Sequence, residues 1–150
     1  MAMLIDNVPL VEFIERTTTR LNLEFLVAPD IRIIFSNTAN DFEGECNVLY
    51  HRKDMYIAVI LSWQLKYNPA TMNLLTCLLT HEYAHYIYSL KLTADERVAD
   101  TRRYLTDDTS RRHDEYRTWS ATKKMLKYMG LWDDTMMTAC NQFRYASLKY

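Results

Sequence analysis

The chain has 150 residues, 49% of them apolar and 25% charged, with two glycines and three prolines. This is the balance of a folded globular chain, it excludes a disordered or low-complexity one, and the length suits one domain over residues 1–150. A net charge of −1, from 18 Lys+Arg against 19 Asp+Glu, gives no global reason to expect binding to nucleic acid or an anionic membrane.

Asn7 and Pro9 read as the cap and first turn of a helix, and Leu10, Phe13, Ile14, Thr17 and Leu21 continue at helical spacing. An apolar stretch, Leu23–Ala28, ends at Pro29. Asp30–Ser36 carries Ile31, Ile33, Ile34 and Phe35 and reads as a strand. Asn37–Glu45 is polar and reads as a loop. Cys46–Tyr50 and Met55–Trp63 read as a hairpin joined by the charged turn His51–Asp54.

Asn68-Pro69 pairs a capping residue with a proline suited to the first helical position. The stretch from there to about Leu90 has no breaker and is apolar on most sides, as a buried helix is. Ala94–Leu105 reads as a shorter helix. Asp107, Asp108 and Thr109 offer caps for a helix over about Arg111–Met129, closed by Gly130 in a left-handed stop. Asp133 and Asp134 open a last helix to about Leu148. One helix, a block of strands and four helices make the class α+β.

Cys46, Cys77 and Cys140 are odd in number, widely spaced and free of any C-x-x-C pair, which fits a reducing, cytoplasmic setting. Met1–Pro9 lacks the basic and apolar regions of a signal peptide. The longest wholly apolar run, Met55–Leu61, is far short of a membrane span.

His81-Glu82-Tyr83-Ala84-His85 is an H-E-x-x-H motif inside the buried helix. Histidines four apart lie one turn apart on one face, so both imidazoles can reach one Zn²⁺. Glu82 lies beside such a metal and points past it, where it can take a proton from an activated water and pass it to a leaving amine. A catalytic zinc site needs a third protein ligand and an open fourth position. Ser89 and Leu92 stand where a longer H-E-x-x-H-x-x-G-x-x-H motif would place its later residues, so the ligand comes from downstream.

Glu115 heads an apolar stripe of Thr118, Trp119, Thr122, Met125 and Leu126, which would carry its carboxylate into the core. Its bland alternative is a first-turn glutamate favoured by the helix dipole. Glu96, in Glu96-Arg97-Val98-Ala99-Asp100, is a second candidate, but the chain between it and His85 is short for a return. His113 is a third candidate, or a residue that orients substrate.

This combination resembles the gluzincins, specifically small single-domain members associated with phages and regulators. His81, Glu82 and His85 match their motif. Glu115 with Thr118 and Ala121 is similar to an E-x-x-A-x-x-A pattern, with Thr118 in place of the usual Ala. The resemblance covers roughly Asp30–Met129. It implies a zincin-like fold, with a small mixed or antiparallel sheet of about three to four strands packed on the active-site helix. It also implies a zinc metallopeptidase with a peptide or protein substrate, and an edge strand that holds that peptide by backbone pairing. Met55–Trp63 is the candidate for that strand; its alternative is an internal strand covered on both sides. A fold kept for binding alone, without catalysis, is the rival reading.

Tyr83, Tyr86 and Tyr88 flank the histidines, and one could stabilise an oxyanion, although packing around a buried helix explains them too. Arg97, Arg102, Arg103, Arg111 and Arg112 are interleaved with Asp95, Asp100, Asp107 and Asp108, as on a solvated mixed-charge surface. Cys77 reads as a small buried hydrophobe. Met136, Met137, Cys140 and Phe143 form an apolar face suited to the core.

Overall fold

A computed structural model describes residues 7–36 and 46–148. Its elements in order are α1 (Asn7–Phe25), β1 (Asp30–Ser36), β2 (Cys46–His51), β3 (Tyr56–Ser62), α2 (Pro69–Leu90), α3 (Ala94–Thr106), α4 (Asp108–Tyr128) and α5 (Asp134–Leu148). The class is α+β, with five helices and one three-stranded mixed sheet among the described residues. The loop expected at Asn37–Glu45 lies outside the described residues.

The strand order is β1-β3-β2. β1 runs parallel to β3 from Asp30↔Tyr56 to Ser36↔Ser62, and β2 runs antiparallel to it from Cys46↔Leu61 to His51↔Tyr56. This corrects the expectation that Met55–Trp63 supplies the edge strand. β3 is the centre of the sheet, and among the described residues β2 and β1 are the edges. The reason is in β3 itself: Ile57, Ala58, Val59 and Leu61 are buried, so its apolar run is covered on both faces.

Helix α2 is the hub of the packing, in contact with β2, α1, α4 and α5. Its start is built as the sequence suggests: Asn68 Oδ1 accepts the Thr71 N–H at 2.9 Å, and Pro69 takes the first helical position. Leu75, Cys77 and Leu79 are fully buried, and Cys77 faces Cys140 of α5. Burying each such leucine contributes about 1.5–3 kcal/mol, which offsets the cost of the polar groups that α2 also buries. Two of these, Thr76 and Thr80, return their hydroxyls to carbonyls one turn earlier, at 2.8 and 2.7 Å.

Helix α4 begins at Asp108, a turn earlier than the expected Arg111, because the Asp107 carboxylate accepts the Thr109 and Ser110 N–H groups. It stops as expected at Gly130, whose φ of +74° belongs to the left-handed region. Leu131 N–H then closes onto Leu126 C=O at 2.9 Å. Met136 and Cys140 of α5 enter the core and Phe143 packs against it, while Met137 stays exposed. Helix α3 differs from the rest, since none of its residues is buried. No helix among the described residues is long and apolar enough to cross a membrane.

Candidate metal centre

One turn of α2 separates His81 from His85, and their rings meet edge to face with centroids 4.7 Å apart. Packing of α4 on α2 brings Glu115 between them. Glu115 Oε2 lies 3.0 Å from His81 Nε2, and Oε1 lies 3.1 Å from His85 Nε2. One ligand atom from each of the three residues lies within 4.8 Å of the others. Four-coordinate zinc with bonds of about 2.0–2.1 Å holds its ligand atoms about 3.3–3.5 Å apart. The donor set, two imidazole nitrogens and a carboxylate oxygen, therefore fits a divalent metal with little movement, and the trio could hold one.

The threonine contacts favour the tautomer that binding requires. Thr118 Oγ1 donates to Asp114 C=O and Thr122 Oγ1 to Thr118 C=O, each at 2.7 Å, so each hydroxyl hydrogen is already committed. Their oxygens face His85 Nδ1 at 3.2 Å and His81 Nδ1 at 3.3 Å, as acceptors. With a metal bound, these acceptors let both rings carry hydrogen on Nδ1 and leave Nε2 bare; without one, the Nε2 contacts to Glu115 need that hydrogen on Nε2. Trp119 stacks on His81, centroids 3.9 Å apart, and fixes the ring plane. Thr118, which departs from the small residue of the resembling pattern, has a physical role in this position.

The site is sealed: His81, His85 and Glu115 are 3%, 4% and 5% exposed. Burial pulls His81 down to about 4, against the opposing hydrogen bond to Glu115. Burial also pulls on His85, but the Glu115 hydrogen bond and the Glu82 and Glu115 charges outweigh it and hold its pKa above the ordinary value. Burial would raise Glu115; the hydrogen bonds from both histidines reverse this and keep it ionised, well below the usual carboxylate range.

Glu82 stands outside the trio. Tyr50 N–H, from strand β2, donates to its Oε2 at 2.8 Å. Burial pushes the Glu82 carboxyl up to about 7, with His85, the Tyr50 N–H and Arg52 pulling the other way. Above the trio, Tyr104 of α3 donates its hydroxyl to Glu115 Oε1 at 2.8 Å. Arg52, in the β2–β3 turn, bonds Asp114 beside Glu115, reaches Asp100 of α3 at 3.1 Å, and lies over the Tyr104 ring. Its Nη2 is also 3.1 Å from His85 Nδ1. Guanidinium only donates, so the metal-binding tautomer requires the Nη2 hydrogens to point to Asp114.

The structure brings together His81, His85 and Glu115 and does not bring Glu96 or His113 to them. Glu96 is exposed and closes a capping box with Thr93 at the start of α3, while His113 is exposed on α4. Tyr83 turns away to meet the Asn22 side chain at 2.7 Å, Tyr86 packs edge-on against Tyr50, and Tyr88 lies under Arg117. Cys77 is a buried thiol with no place in the trio. Among the expected surface arginines, Arg103 and Arg111 pair with Asp100 and Asp108 on their own helices. Sequence reasoning missed Tyr104, Arg52 and the Tyr50 N–H. For Thr118 and Thr122 the signal was present: polar residues at 115, 118 and 122 on one helical face mark a polar pocket within an apolar stripe. Compared with known families, curated proteins and solved structures, the chain matches none.

Proposed function

We propose that the chain is a single-domain zinc-dependent metallopeptidase of the gluzincin type. The observation that carries this reading is Glu82: a carboxylate held by the Tyr50 N–H at 2.8 Å, beside a His–His–Glu trio that has no need of it for structure. Zinc bound by His81, His85 and Glu115 supplies Lewis acidity, which acidifies water and polarises a carbonyl. With Oε2 engaged, Glu82 takes the water's proton on Oε1 and delivers it to the leaving amine. Thr118 and Thr122 hold the imidazoles in register. Tyr104, rather than Tyr83, Tyr86 or Tyr88, has its hydroxyl at the trio, on Glu115 Oε1, and would donate to an oxyanion once released from that oxygen. The peptide pairs with β2, the edge strand that touches α2.

The test is Glu82→Gln, which keeps shape and reach but cannot accept a proton. Zinc content and thermal stability stay at wild-type values, and chelator-sensitive cleavage of a peptide library falls by 10²-fold or more, about the contribution of a general base. Cleavage that survives the substitution contradicts the reading. The burial of the trio favours a second reading, a zinc-holding binding or structural protein. Zinc-loaded wild type that cleaves nothing across a broad library supports it.

A further inference from the structure

We propose that Arg52 is the positioning residue of the metal centre, fixing the outer partners of His85 and Glu115 while it fastens α3 over them. This rests on the metal-centre reading above. Arg52 belongs to neither α2 nor α4; it comes from the hairpin turn and its side chain is only 10% exposed. Three features give it leverage. Its Nη2 bonds Asp114, the carboxylate that lies 3.7 Å from His85 Nδ1 and immediately precedes Glu115 in α4. Its Cζ lies 3.9 Å from the centroid of the Tyr104 ring, whose hydroxyl holds Glu115 Oε1. Its Nη1 bonds Asp100 at 3.1 Å and so ties α3 to the sheet.

One planar fork thus serves two carboxylates from two helices and the face of one ring. Lysine presents a single point charge and cannot do all three. Asp114 is 6% exposed and holds Arg117 on Oδ1; without the Arg52 fork its Oδ2 is buried with no cation of its own and must shift or draw in water. Each of these outcomes displaces a group in contact with His85 or adjacent to Glu115. A structural residue alone would lower the melting temperature and leave the metal affinity of the folded protein unchanged. A positioning residue changes the affinity.

The experiment is zinc titration by competition with a fluorescent chelator on wild type and Arg52→Lys, with thermal melts of the metal-free proteins. Arg52→Lys, folded at the assay temperature, is expected to bind zinc about 10–100-fold more weakly, the range for lost outer-sphere partners. Should it fail to fold, Asp114→Asn keeps the side-chain shape and carries the same expectation. Wild-type affinity in a folded variant, with only a lowered melting temperature, overturns the proposal. Wild type that binds no zinc overturns the metal-centre reading, and this inference with it.

Discussion

Helices α3 and α4 are both rich in charge, yet α4 buries Glu115, Thr118, Trp119, Thr122 and Leu126 while α3 buries nothing. The apolar residues of α3 are largely in solvent, with Val98 at 57% and Leu105 at 72% exposure. Average polarity therefore does not decide burial. In α4 the inward residues recur at helical spacing, and the polar ones among them find partners on α2. In α3 no such buried stripe exists. It is held by polar contacts: Tyr104 to Glu115, Asp100 to Arg52, and Arg97 to Leu92 C=O. One helix builds the centre and the other covers it.

The sharpest way to break this contrast is to remove a carboxylate from each helix. Glu115→Gln on α4 should weaken zinc binding by more than about 100-fold, beyond the range of outer-sphere losses. Glu96→Gln on α3 should leave affinity unchanged. Competition titrations decide it, and a strong loss in the Glu96 variant with none in the Glu115 variant would reverse the assignment. A smaller effect separates the two helices again. Thr118→Val removes the acceptor at His85 Nδ1 from a buried position and should cost about 10–100-fold in zinc affinity. Tyr104→Phe should cost less than about tenfold, because water can replace a hydroxyl delivered by an exposed helix. Equal losses in the two variants would show that α3 is as integral to the centre as α4.

The parts of this molecule legible in the sequence are those written locally. Asn68-Pro69 opens α2, Gly130 ends α4, and the charged turn between two β-rich runs makes the hairpin. The H-E-x-x-H spacing puts His81 and His85 on one face, and the stripe after Glu115 points that residue inward. Sheet order was not legible, because β1 reaches its place beside β3 by a parallel pairing that skips β2. The apolar run of β3 did carry the clue to its central position. Arg52 and Tyr104 were hidden for a related reason. Arg52 finds its partners on two helices far along the chain, and nothing near it in sequence hints at them. Tyr104 sits on a helix whose inward face, Arg97, Asp100, Thr101 and Tyr104, is largely polar and leaves no apolar pattern to read.

The central claim is that His81, His85 and Glu115 together hold one zinc. Its most direct test is elemental analysis combined with X-ray absorption at the zinc edge on metal-replete protein. The account predicts about one zinc per chain, bound by two imidazole nitrogens and a carboxylate oxygen at roughly 2.0–2.2 Å. That signal disappears in His85→Ala. Absence of zinc, sulfur in its coordination shell, or full occupancy in His85→Ala would contradict the account.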